Sequence, residues 1–185
     1  MRGRSKLSYS FPWLRRKFPT YEAYSQAAIE DIFPAEHLSK ARRLEANELA
    51  SGVYFQGPGG TFDFRRLPAP AQLSPINGLV VRDLDGDGIL DVYCVGNNYG
   101  PEPSTGRFDG SVSILLKGDG HGGLTPVPPW RSGLVAGGDT RSAVAVSLPG
   151  QKGVPPIAVA QCNGPVLLFT PNPKPNPDSR PVAQR

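Results

Sequence analysis

Cysteine is nearly absent from this sequence. Cys94 and Cys162 are the two among 185 residues, too few for a disulfide scaffold and without the C-x-x-C spacing of a zinc or redox site. Each lies in an apolar run that reads as a strand, so both are expected to be buried small hydrophobes rather than a disulfide pair. Long hydrophobic runs are also missing, and none approaches the roughly 18 residues of a membrane helix. The N-terminal cations are followed by no apolar stretch, so neither a membrane span nor a signal peptide is expected. Sequence fit for long helices is scarce, because 22 glycines and 21 prolines interrupt most windows, and this excludes a mainly helical protein. What remains, 38% apolar and 19% charged, suffices for one modest core and argues against disorder throughout.

The net charge of +4 is unevenly placed. Arg2, Arg4, Lys6, Arg15, Arg16 and Lys17 give the first 18 residues +6 with no acid, which leaves the rest of the chain at −2. A nearly neutral body offers no clustered cations for a nucleic-acid surface, because counterion release needs them along one face. Nucleic-acid binding is therefore not expected there. In the basic arm the cations alternate with Tyr9, Phe11, Trp13 and Phe18. Such a mixture can stack on bases or pack onto neighbouring structure, and packing is favoured because no nucleic-acid motif accompanies it.

Residues 20 to 41 carry the clearest helical pattern, with Thr20 as N-cap and Tyr21, Tyr24, Ala28 and Ile32 spaced to share one face. Pro34 should end that helix at Phe33 and open a short second one. Beyond Arg43 the pattern changes to short alternating runs bounded by Gly, Pro and Asn, the signature of strands and tight turns. Val53 to Phe55 and Phe62 to Phe64 flank a Gly-Pro-Gly-Gly turn, and Val112, Ile114 and Leu116 run into a second glycine-rich turn at Gly118. Both read as hairpins. Leu79 to Val81 and Val92 to Val95 flank an acidic loop, whereas Ala143 to Val146 and Ile157 to Ala160 flank a similar loop without acids.

These pairs repeat. Val53 to Ile114 is an offset of 61, Leu79 to Ala143 of 64 and Val92 to Ile157 of 65, a drift that loops absorb. The expected fold class is therefore mainly β, with about two four-stranded β-propeller-type blades preceded by a short helical segment. Residues 1–42 form the basic arm and helical segment, 43–110 the first blade, 111–170 a degenerate second blade, and 171–185 a proline-rich disordered tail. Two blades do not close a ring, so further blades in the same or another chain are expected.

The acidic loop is the most informative stretch. Asp83-Leu84-Asp85-Gly86-Asp87-Gly88-Ile89-Leu90-Asp91 places four carboxylates at positions 1, 3, 5 and 9 of nine residues. Left alone they repel, whereas a hard divalent cation joins them, and Ca2+ takes six to eight oxygens from such a mixture of carboxylates and a backbone carbonyl. The ligand set is Asp83, Asp85, Asp87 and Asp91 with the carbonyl of Ile89, water filling the rest. Gly88 permits the sharp turn, and Gly86 relieves crowding between aspartates. The alternative is an Asp/Gly turn that is acidic only for solubility, which the alternate spacing disfavours. Calcium is preferred to magnesium because the loop offers many oxygens at flexible geometry. Position 12 is Cys94, where an EF-hand supplies a bidentate glutamate, and the flanks are strand-like, so this is not an EF-hand.

From Ser51 to about Pro171 the motifs Gly-Pro-Gly-Gly-Thr-Phe, Asp-Leu-Asp-Gly-Asp-Gly-Ile-Leu-Asp and Gly-Asn-Asn-Tyr-Gly resemble the FG-GAP or VCBS repeats of integrin-like β-propellers. That resemblance implies a calcium loop between two strands of one blade. In it Asp83, Asp85, Asp87 and Asp91 match the carboxylates and Ile89 the carbonyl. The whole chain is similar to the C-terminal part of longer bacterial proteins of this type, in which a basic helical segment like Ser5 to Phe33 lies between blades. The resemblance further implies export, to the periplasm, the cell surface or outside, and protein or glycan partners. Weak affinity, about 10⁻⁴–10⁻³ M, suits a loop without the bidentate glutamate. The aligned second loop, Ser147 to Pro155, has no carboxylate and should bind no calcium.

The function expected is therefore a non-catalytic, calcium-binding propeller segment for binding or assembly, the metal being structural. The alternative is part of a metal-dependent hydrolase whose other site residues lie on further blades. No catalytic residue is assigned here: the sequence has no Gly-x-Ser-x-Gly elbow, no phosphate loop and no histidine cluster. His37 and His121 stand alone, and Asp119 fits a hairpin corner better than a ligand set.

Overall fold

In a computed structural model of the chain, the described residues are 3–103, 105–147, 149–150 and 153–171. The chain divides into two units between Glu48 and Leu49. Among its described residues the first contains five short helices, α1 Arg4–Ser10, α2 Leu14–Lys17, α3 Tyr21–Gln26, α4 Ile29–Ile32 and α5 Ala35–Lys40. Leu14, Phe18, Tyr24 and Ile32 form its core. The single helix expected up to Phe33 is broken. Thr20 caps α3 by accepting from the Ala23 N–H at 3.1 Å, but Ala27 and Ala28 are extended, and the Asp31 carboxylate accepts from the Ala28 N–H at 2.9 Å to start α4 afresh. That kink keeps Tyr24 and Ile32 buried while Tyr21 and Ala28 face outward. Several N-terminal cations turn onto their own unit. Arg4 donates to the Phe18 carbonyl at 2.7 Å and stacks over Tyr21, Arg15 donates to Ser8 Oγ, and Lys17 lies against Trp13 and Phe18.

The second unit is built of antiparallel sheets, as the alternating pattern requires. Its strands are β1 Gly52–Gln56, β2 Phe62–Arg66, β3 Ile76–Arg82, β4 Asp91–Gly96, β5 Ile114–Gly118, β6 Leu124–Val127, β7 Thr140–Ala145, β8 Ile157–Gln161 and β9 Leu167–Phe169, with a short helix α6 at Pro129–Ser132. They pair as β1-β2, β3-β4-β5-β6 and β7-β8-β9. A mainly β protein is thus observed, but one sheet has four strands, not two.

The sheets also group the strands differently from the repeat read in the sequence. The four-stranded sheet takes β3 and β4 from one of those expected units and β5 and β6 from the next, so the sheet boundaries fall two strands away from the expected blade boundaries. The spacing of those units shows in the bulges: β3 is interrupted between Ile76 and Gly78 and β7 between Thr140 and Ser142, both an offset of 64. At these bulges β3 and β7 run so close that a Cβ on Gly78 would lie 2.7 Å from the Ala143 nitrogen.

The period of two assigns β3, β4 and β5 of the central sheet to two cores at once. Tyr93 and Val95 of β4, Leu115 of β5 and Val80 of β3 face the β7-β8-β9 sheet, packing with Ala143, Ala145, Ile157 and Val159. Val92 and Cys94, Ile114 and Leu116 point the other way, toward Val53, Leu67 and Ala71. Cys94 is therefore a buried small hydrophobe, and burial pushes its thiol up to about 11. Cys162 is also free but lies just past β8 and is exposed, against expectation, because the chain turns there and leaves the sheet. The proline-rich tail expected at 171–185 falls outside the described residues after Pro171, as do Leu148, Gln151 and Lys152 of the carboxylate-free loop.

A buried polar network ties the two larger sheets together. Asn97, 2% exposed and left-handed at φ 78°, donates through Nδ2 to the carbonyls of Ser111 and Gly138 and accepts from the Ser111 N–H. Asn77, at the β3 bulge, donates to the carbonyls of Asn97 and Thr140, and Thr140 Oγ1 donates to the Gly96 carbonyl. Replacing Asn97 by Ala should lower stability by about 3 kcal/mol, from stranded buried partners and a strained backbone. Asn97→Gly, free of the strain, should lose roughly 1 kcal/mol less. Urea unfolding of the two variants measures this difference.

Candidate metal centre

β3 and β4 end on the pair Arg82 and Asp91, so the residues between them close as one tight loop over the edge of the central sheet. Its folding is local. Asp83 accepts from the N–H groups of Gly86 at 2.7 Å and Gly88 at 2.9 Å, Asp85 from that of Asp87, and Asp87 from that of Ile89. Gly86 and Gly88 have φ of 86° and 85°, the left-handed region that a side chain resists. Nothing crowds either position, so backbone conformation alone requires glycine there.

The last aspartate behaves differently. Asp91 is 1% exposed, and its two oxygens accept from the Leu84 N–H and, across the sheet, from the Gly118 N–H, both at 3.0 Å. It therefore fastens the start of the loop and the end of β5 to the first residue of β4. Gly118 is needed for that approach, since a Cβ there would lie 2.1 Å from the Leu90 carbonyl oxygen.

Three of the expected ligands come together. Asp83, Asp85 and Asp91 each offer an oxygen, and the three oxygens lie within 4.8 Å of one another. Two ligands of a cation with bond lengths of about 2.3–2.6 Å are separated by no more than roughly 4.6–5.2 Å, so this donor set fits a calcium-sized ion. Each carboxylate oxygen that accepts one N–H also keeps a lone pair for a metal. One ligand is buried, one half-buried and one exposed, which leaves an open side for water. Asp87 is directed elsewhere, with Oδ2 at 3.0 Å from Lys117 Nζ. The Ile89 carbonyl belongs to the same loop, whose N–H is held by Asp87.

Lys117, on β5, also donates to Asp85 Oδ2, so one ammonium bridges two loop carboxylates. Its hydrogen bonds to Asp85 and then Asp87 hold the lysine above its ordinary value, and the Lys117 hydrogen bond, followed by that from the Ile89 N–H, holds the Asp87 carboxyl below its own. The depressed acid contributes above the usual carboxylate range and loses its contribution as pH falls through its folded value. The raised lysine contributes below about 10.5 and loses it as pH climbs through its own. Both shifts leave the pair intact across the neutral range. Neither Lys117 nor Gly118 had any signal in the sequence pointing at this loop, from which they are separated by the long β4–β5 connection.

The remaining candidates are dispersed. Asp119 accepts from the N–H groups of His121 and Gly123, which depress its carboxyl and make it the corner of the β5–β6 hairpin, as expected. His121 and His37 are exposed.

Compared with known proteins, the chain matches no family model, no curated protein and no solved structure. The chemistry of the loop therefore rests on its own geometry. Asp91→Asn tests the anchoring role apart from any metal. Its amide must turn an NH2 toward one of two N–H donors, and stability in a chelator should fall by about 1–3 kcal/mol. An unchanged urea midpoint would contradict the assignment.

Proposed function

We propose that this chain is a non-catalytic, calcium-binding segment of a β-propeller-type protein, in which the ion serves structure and the sheets serve binding or assembly. The observation that carries the reading is the Asp83, Asp85 and Asp91 triad on a strand-to-strand loop whose deepest member also holds β5. An ion there would join the two ends of the β3–β4 turn to the residue that fixes the third strand. Asp83, Asp85 and Asp91 would hold it, with Asp87 and the Ile89 carbonyl as the further protein ligands. What it supplies is charge neutralisation in the folded state alone, which stabilises by mass action.

The assembly part of the reading is supported by the outer faces of the sheet stack. Tyr54 and Phe62 on the β1-β2 hairpin, and Val144 and Leu168 on the three-stranded sheet, are each more than half exposed. They lie opposite the residues that fill the two cores, and the central sheet is covered on both such faces. Further sheets, in the same or another chain, are the proposed occupants, with a protein or glycan as ligand of the complete assembly. Export to a calcium-rich compartment accords with an affinity in the millimolar range.

Calcium at a hundredfold excess over Kd should stabilise the protein by about 2.7 kcal/mol, roughly 10 °C in Tm for a unit of this size. Chelation should reverse the rise, and Asp85→Ala should remove most of it. Calorimetry showing neither heat of binding nor a thermal shift would refute the proposal.

A further inference from the structure

We infer that Lys117 is a tethered counter-cation of the Asp83–Asp91 loop: it holds Asp85 and Asp87 together when no divalent ion is bound, and it weakens the loop's affinity for one. The inference rests on the cation-site reading above and concerns how that site is tuned.

Three observations lead to it. The loop concentrates four carboxylates in nine residues, so in the absence of metal some positive charge must offset their repulsion. Lys117 is placed to do so, bridging Asp85 and Asp87 from β5, the strand that Asp91 also grips through Gly118. Asp85 is shared, since it also belongs to the triad with Asp83 and Asp91. An ion on that triad would face a fixed ammonium on one of its own ligands, and like charges so close repel. The lysine therefore leaves Asp85 when the ion enters, and the cost of breaking its contacts weakens binding. That displacement sets affinity below what the carboxylates alone would reach, and it frees Asp87 for the ion only at the lysine's expense. The Lys117 side chain is 44% exposed, so its ammonium can move into water when displaced, and salt should reduce its effect.

The test compares the whole chain with Lys117→Gln and the charge-preserving Lys117→Arg by calcium titration calorimetry at low ionic strength. Lys117→Gln should bind about tenfold more tightly than wild type, and Lys117→Arg about as wild type. In chelator the Gln variant should melt below wild type, and saturating calcium should close that gap. Wild-type binding with an unchanged or weaker constant in Lys117→Gln would overturn the inference and leave the site standing. No binding in any of the three would remove the site and the inference with it. Should Lys117→Gln fail to fold without metal, the Lys117 side-chain NMR signal of the wild-type protein decides: it should move on calcium addition with the calorimetric midpoint, and a signal that stays in place would overturn the competition.

Discussion

Like-charge repulsion in the Asp83–Asp91 loop is the constraint around which this part of the molecule is arranged. Each carboxylate is offset in its own way. Asp83 draws on the N–H groups of two glycines that can take positive φ, Asp91 is buried with two backbone donors, and Asp85 and Asp87 share an ammonium from another strand. These are charge-assisted hydrogen bonds, the stronger kind, and they turn a repulsive segment into one with a defined shape. Three of the carboxylate oxygens, from Asp83, Asp85 and Asp91, still lie close enough together that they could hold a metal ion.

The loop matters to the fold because of where its last residue sits. Asp91 begins the innermost covered strand of the stack, and two residues later Tyr93 lies fully buried in the core shared with the three-stranded sheet. Fixing the loop therefore fixes the register of β4 against both β3 and β5. A one-residue slip would exchange the two faces, sending Tyr93 and Val95 toward the hairpin and Cys94 into the other core. The Asn97 network secures the opposite end of the same strand, again with buried polar groups that have partners in both sheets. β4 is thus pinned at each end by polar contacts and in the middle by packing.

Much of this was legible in the sequence. Alternation of apolar residues located the β1-β2, β3-β4, β5-β6 and β7-β8 hairpins, because a strand's faces repeat every two residues whatever it pairs with, but it did not mark β9, which pairs with β8 over three residues. The Asp spacing located the loop and its conformational glycines, because those requirements are local. The broken helix at Ala27 and Ala28 was not legible, since two alanines favour a helix and the competing cap, Asp31, works through a side-chain reach-back that periodicity does not record. Nor was the exposure of Cys162, which depends on where the chain leaves the sheet.

What the sequence determined by itself was therefore the local content: β-strand character, turn positions, a repeat of about 64 residues and a concentrated acidic bend. Tertiary structure alone decided which hairpins share a sheet, because β2 to β3 changes sheet while the longer β4 to β5 connection remains within one. It also decided which aspartates converge, and it brought Lys117 and Gly118 to the loop. Those facts depend on strand pairing between distant segments, and the hydrogen-bonding edges of any two strands look alike until packing on both faces selects one partner.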